Sequence, residues 1–427
     1  MVKVAVIGGG SSYTPELLEG LLERRSSLNL DRICLMDIDS QRLQILSSLG
    51  ERMAAKMGAD IRIESTTQPD QAIDGADYVI TQFRVGGMAA RIRDEKLGLR
   101  NHIIGQETTG IGGFAKALRT IPAILNIAAI IEKRAPQAWL INFTNPAGII
   151  TESVLKHSSV RVVGLCNIPI GYIMAAAKAF SVPPSSIELD YAGLNHLSWV
   201  RGCRVDGIDR FPEFLEIIAG EFEEEEKPSS RAMAMWTRFL GVVPNYYFAY
   251  YFCTALVLEE LKARTRTRGE EVVEVETTLF QKYADPALSE KPAELEKRGG
   301  AFYSTAAVNL IESLATNRGD IQVVNVRNNS ILSELPPECA VEIPCRITGS
   351  GPVPLPQSPL PPEHRGMLQV VKAYEELTVR AGALGDRKSA ILALATHPLV
   401  RQVSEVSRLF DEILEENCQF LPQFARS

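Results

Sequence analysis

The stretch "KVAVIGGGSSYTPELLEGLLER", residues 3–24, decides the architecture. Val4, Val6 and Ile7 make a short β-branched run, three glycines follow, and Leu17, Leu18, Leu21 and Leu22 then share one side of a helix. Strand, glycine turn and helix in that order predict a dinucleotide site. Gly8, Gly9 and Gly10 let the backbone approach a pyrophosphate whose charge sits at the positive end of the helix. Ser11, Ser12 and Thr14 add donors, and Pro15 suits a first helical turn. The third position of the G-x-G-x-x-G fingerprint is not glycine, so a plain tight turn competes until context is added.

The context lies downstream. The next apolar strand, "RICLMDID" (32–39), ends in Asp37 and Asp39, at the distance where an acidic side chain grips the adenosine ribose hydroxyls. A carboxylate there disfavours a 2′-phosphate, so Asp37 predicts NAD rather than NADP. "ADYVITQF" (76–83) supplies a third strand, and "QAWLINFTNPAG" (137–148) a fourth after the helical stretch 114–134. Strands alternating with helices predict an α/β fold, a Rossmann-like doubly wound parallel sheet, with ligands beyond the carboxyl ends of its strands. Those ends carry "RVGG", "NFTNPAG" and "CNIP".

From about Ser181 the rhythm changes. "IELDYAGLNHLSWVRGCRVDG" (187–207) reads as antiparallel strands, the "EEEE" run at 223–226 as a solvated surface, "GSGPVPLPQSPLPPEHRG" (349–366) as an ordered loop, and the remainder as helical. The expected organisation is an NAD-binding domain over 1–165 and an α+β domain over 166–427 for substrate, metal and oligomerisation. A chain of 427 residues is too long for one core of ordinary size, and its 45% apolar content suits a globular enzyme.

A formal net charge of −7 argues against nucleic acid as a partner, since phosphate-backbone affinity needs clustered Lys and Arg. No uncharged stretch reaches membrane-spanning length, and the start passes from Met straight into a strand, so no membrane partner and a cytoplasmic location are expected. The seven cysteines are odd in number, scattered and never paired as C-x-x-C, which suits a reducing compartment.

Cys166 and His196 stand apart. Cys166 closes an apolar strand where ligands are expected, and His196 sits within a strand of mixed apolar and polar residues. Each is by default a core residue. As a pair they match no closed zinc pattern, and two side-chain ligands would leave an ion with open positions for substrate oxygens.

At this point "VIGGGSSYTPEL", "LMDID", "FRVGGMAARIRDE", "GQETTGIGGF", "INFTNPAG", "CNIP", "GLNH", "EKRGGAFYS" and "RGDIQVVNVRNN" together resemble glycoside hydrolase family 4, the NAD- and metal-dependent glycosidases, over most of the chain. "CNIP" is similar to the 6-phospho-β-glucosidase branch. The handling of the glycosidic bond in that family departs from the usual pair of carboxylates. The resemblance implies oxidation of the sugar at C3 by NAD+, removal of the C2 proton, elimination of the aglycone, addition of water and return of the hydride. It implies a phosphorylated disaccharide or aryl glucoside as substrate and a homodimer or homotetramer as the assembly.

Carried onto this sequence, the resemblance makes Cys166 and His196 the metal ligands, with Mn2+ the usual ion. It makes Tyr247, three residues after Pro244 in "VVPNYYFAYYF", the catalytic base, leaving Tyr246, Tyr250 and Tyr251 to packing. Asn145 and Asn167 become sugar contacts; Asn167 replaces an acid of some α-acting relatives. Arg91 and Arg298 become candidates for the 6-phosphate, whose oxygens a guanidinium fork matches. Glu107 is expected near the site. Residues 8–12 and Asp37 hold the cofactor. Two other readings share the glycine turn: a dehydrogenase of the lactate or malate type, which has no use for the Cys–His pair, and a non-catalytic NAD-binding protein.

Overall fold

The computed structural model describes residues 1–299, 302–400 and 403–425. Six strands, β1 (Val2–Ile7), β2 (Leu30–Met36), β3 (Arg62–Thr66), β4 (Tyr78–Thr81), β5 (Trp139–Asn142) and β6 (Arg161–Gly164), pair in parallel in the order 3-2-1-4-5-6. This is the doubly wound order expected of a dinucleotide fold. Their short, β-branched, nearly continuous apolar runs suit strands covered on both faces; β4 is buried throughout. The exposed charges of β3 fit its place at the edge and hide it from a search for apolar runs.

The sheet continues past β6. Strands β7 (Ile187–Leu194), β8 (Leu197–Val205), β9 (Ile208–Asp209), β10 (Val243–Pro244), β11 (Ile321–Arg327), β12 (Ala340–Thr348) and β13 (Gly351–Pro354) are all antiparallel to their neighbours. They extend the same sheet in the order β6-β11-β12-β7-β8-β10. The join is narrow: Asn325 of β11 pairs with Gly164 of β6, and Glu342 of β12 with Gly193 of β7. Helices cover the sheet. The helix Thr14–Glu23 buries the four leucines named above.

The helix Gly110–Arg134 is the one element long and apolar enough to cross a membrane among the described residues, yet 67% of its most apolar window is buried inside the protein. It is a core helix, and its two early cations are held internally: Arg119 makes a two-pronged ion pair with Asp94 at 2.9 and 2.6 Å, and Lys116 reaches Glu107 at 2.9 Å. The proline-rich 349–366 segment contains the edge strand β13 and leads into the helix Pro362–Leu384.

Candidate active site

The glycine turn lies at the carboxyl end of β1, with the end of β2 beside it. Gly8 has φ 94°, and a Cβ there would stand 2.8 Å from the Gln82–Phe83 peptide. A Cβ on Gly10 would stand 2.7 Å from the Asp37 carboxylate, which accepts the Gly10 N–H at 2.8 Å. Side chains are excluded and the backbone is left bare, which fits the approach of a pyrophosphate. Asp37 also accepts from the Asp39 N–H at 3.0 Å. Asp39 instead caps the helix Ser40–Lys56 through the N–H groups of Gln41 and Arg42, so the two acids have separate work.

Cys166 follows β6 and stands at the N-cap position of the helix Asn167–Phe180, where the nearby Ile168 and Asn167 N–H groups and the Asn195 side chain favour its thiolate. Burial, and then the nearby Glu342 carboxylate, push the thiol's pKa up. A bound cation opposes both effects, because a coordinating thiol is deprotonated. His196 lies in the two-residue turn between β7 and β8, not within a strand as the sequence suggested. Leu194 pairs with Leu197, closing the hairpin around Asn195 and His196, and His196 takes φ 66°. Burial, with Lys116 close by, lowers its pKa to about 3 and keeps the imidazole neutral, as a ligand must be. Among the described residues no three His, Cys, Asp or Glu side chains converge on one point. A sulfur and a nitrogen donor alone suit an open site better than a closed structural one.

The ring of Tyr247 stacks flat on that of His196, centroids 4.0 Å apart. Its hydroxyl accepts from Gln106 Nε2 at 3.3 Å and lies 3.1 Å from Thr108 Oγ1. Burial drives the phenol's pKa up, with Tyr250, Glu107 and Cys166 adding to the effect. The other tyrosines pack: Tyr246 stacks on Tyr172 at 5.3 Å, Tyr250 lies 5.5 Å from Tyr247, and Tyr251 bonds to Thr109 at 2.7 Å.

Arg91 is buried beside this group, its Nε on Glu95 at 2.8 Å and its Nη1 on Glu107 at 3.0 Å. Glu107 also pairs with Arg84 and Lys116. Three cations share one carboxylate. Their summed attraction holds Glu107 ionised well below the usual range against the cost of burial. Lys116, desolvated and repelled by Arg84, falls to about 7 despite its bond to Glu107. Asn145 precedes a cis Pro146 and donates to the Tyr303 hydroxyl at 3.2 Å. Asn167 opens the helix at whose N-cap position Cys166 stands. Arg298 is placed differently from the other candidates: it binds Ser12 Oγ at 3.2 Å and Glu276 at 3.1 Å, with its guanidinium over the Tyr13 ring.

Residues 3–182 match the model of the family 4 glycosyl hydrolases, and residues 191–400 match that of the family's C-terminal domain. A probable 6-phospho-β-glucosidase of Bacillus subtilis is 43% identical, covering 99% of this chain and 98% of its own. The chain belongs to family 4 of the glycosyl hydrolases. A 6-phospho-β-glucosidase of Escherichia coli is 35% identical over 99% of this chain and 97% of its own. The crystal structure of the Thermotoga maritima 6-phospho-β-glucosidase with manganese, NAD+ and glucose-6-phosphate superposes with a TM-score of 0.91 at 35% identity, covering 98% of this chain and 99% of that one.

Sequence reasoning on this family 4 chain missed several groups. Lys116 reads as one charge on an apolar helix, and only folding sets it beside Glu107 and His196. Tyr303 lies in the motif "EKRGGAFYS", yet nothing local indicates that its phenol faces Asn145 and lies near Cys166. Asn195 and Gln106 are neighbours of His196 and Glu107 in sequence, which was the available signal.

Proposed function

We propose that this chain hydrolyses 6-phospho-β-glucosides, with NAD+ on residues 8–12 and Asp37 and a divalent ion, Mn2+, held by Cys166 and His196. The observation that carries the reading is the flat stack of Tyr247 on His196, next to Cys166 and at the same sheet end as the glycine turn. When bound, NAD+ supplies reversible hydride acceptance and the metal ion supplies Lewis acidity at the sugar's oxygens.

The chain's own part is positioning and proton transfer. Tyr247 takes the proton from C2 of the sugar; Gln106 and Thr108 fix its hydroxyl, and the His196 ring fixes its plane. Positive charge brought to Cys166 and His196 would lower a phenol pKa that burial, with Tyr250, Glu107 and Cys166, has raised. Asn145 and Asn167 contact sugar hydroxyls. For the 6-phosphate, the excess of Arg84, Arg91 and Lys116 over Glu107 and Glu95 favours an anion beside the site. Arg91 would meet it through Nη2, its other nitrogens being held by Glu95 and Glu107. Arg298 would have to exchange one of its present partners. The substrate is a phosphorylated disaccharide or aryl glucoside.

Seven unpaired cysteines, six of them buried, support a reducing, cytoplasmic setting. Exposed Met235, Phe239, Phe252 and Leu256 support a homo-oligomer, dimer or tetramer. The test is hydrolysis of a chromogenic 6-phospho-β-glucoside with NAD+, Mn2+ and reductant each left out in turn. Activity should need NAD+ and Mn2+ and build up no NADH. Accumulation of NADH in step with substrate would select a dehydrogenase instead.

A further inference from the structure

We propose that Glu276, far along the chain from the glycine turn, selects NAD+ over NADP+ by neutralising Arg42. The inference rests on reading residues 8–12 and Asp37 as the cofactor site. Arg42 is the third residue of the helix Ser40–Lys56, just after Asp37 and Asp39. That is the neighbourhood in which dinucleotide folds that accept a 2′-phosphate place an arginine, whereas those that take NAD place an acid. The sequence therefore carries opposed signals within six residues: an acid that repels a 2′-phosphate and a guanidinium that attracts it.

The fold resolves the conflict from the other half of the molecule. The helix Arg268–Tyr283 lies against the glycine turn, and its Glu276 accepts from Arg42 Nη2 at 3.2 Å, from Ser12 Oγ at 3.0 Å and from Arg298 Nε at 3.1 Å. The Glu276 side chain is only 13% exposed and that of Arg42 34%, so the contact is partly shielded from solvent. The Phe280 ring covers the Arg42 guanidinium 4.1 Å from its centroid, and the Tyr283 hydroxyl donates to the Ser12 carbonyl at 2.9 Å. One face of this helix thus grips the turn and the arginine together. Glu276 holds Nη2 of Arg42, so a 2′-phosphate reaching the guanidinium would share it with that carboxylate while lying between two carboxylates, Asp37 and Glu276.

The experiment measures Kd for NAD+ and NADP+ by calorimetry on the full chain, for wild type, Glu276→Gln, Arg42→Ala and the double variant. The two nucleotides share adenine and pyrophosphate, so the ratio Kd(NADP+)/Kd(NAD+) isolates the 2′-phosphate from any general effect on the turn. Glu276→Gln should lower that ratio by about threefold to fivefold, the upper weight of one charge contact at a partly exposed site. Arg42→Ala alone should leave it within about twofold, and the double variant should return it to the wild-type value. An unmoved ratio in Glu276→Gln, or a fall that persists without Arg42, overturns the proposal. Should Glu276→Gln fail to fold, Arg42→Ala still decides: a clear rise in its ratio would show that Arg42 already serves the phosphate, against the proposal. If wild type binds neither nucleotide, the cofactor reading fails and this inference with it; if both bind and the ratio is unmoved, only this inference fails.

Discussion

At the scale of single residues the site works by opposed charges. On the proposed roles, Tyr247 would have to give up its proton in a place whose burial resists it, and Cys166 would have to be a thiolate where burial and Glu342 resist that too. One cation answers both needs. Tyr247→Phe keeps the ring on His196 but removes the hydroxyl proposed to accept the C2 proton, so turnover should fall roughly 10²-fold or more with thermal stability little changed. In D2O the wild type should leave deuterium at C2 of the released sugar phosphate and the variant should slow labelling and turnover together; label acquired at the wild-type rate would assign the base elsewhere. Cys166→Ser should weaken Mn2+ binding by more than the roughly 10- to 100-fold typical of losing an outer partner of a metal site. NAD+ affinity read in the same titration should hold, and an unchanged Mn2+ Kd would remove Cys166 from the ligand set.

At the scale of elements, the glycine turn was legible because its chemistry is local. Strand, turn and helix are contiguous, and the spacing to Asp37 is set by one helix and one strand. Gly10→Ala should clash with the Asp37 carboxylate and weaken NAD+ binding by about tenfold or more with helix content unchanged; calorimetry and circular dichroism check the two halves of that statement. The hairpin carrying His196 was less legible. Its apolar residues run almost unbroken on both sides, because this part of the sheet is covered on both faces, and only the register of Leu194 on Leu197 marks the turn. Strand β3 was missed for the opposite reason, an edge position with exposed charge.

At the scale of the whole molecule, two features invite measurement. Behind the site, Glu152 and Glu375 compete for the buried Lys372, at 2.7 and 2.5 Å, with Lys156 also on Glu152. Burial, only partly offset by Lys372, raises Glu375 to about 7 from an ordinary value of 4.5. The native state then holds a proton that the unfolded chain has released, so this contribution to stability is present below pH 4.5 and is lost as pH rises to about 7. Relative to wild type, Glu375→Gln should flatten that fall by on the order of 3 kcal/mol, read from denaturant unfolding across the window. On the surface, Trp236 stacks on Phe239 at 5.3 Å and lies 5.7 Å from Phe252, making an apolar patch with exposed Met235 and Leu256. If subunits meet there, Phe239→Asp should convert the oligomer to monomer in sedimentation; an unchanged oligomer would place the interface elsewhere.

What the sequence determined by itself was whatever depends on neighbours along the chain: the alternation of strands and helices, the bare glycine turn with its acid, and the strand end that presents Cys166. Only the tertiary structure decided that the antiparallel half continues the parallel sheet through Asn325 and Gly164, and that Glu276 and Arg298 land on Ser12. It likewise set one carboxylate, Glu107, among three cations from the loop after β4, the helix Gly87–Arg100 and the helix Gly110–Arg134. The physical reason is range. Hydrophobic periodicity and turn chemistry act over a few residues, whereas burial, ion pairing and the pKa shifts that follow depend on which distant segments share a desolvated volume, and no local pattern encodes that.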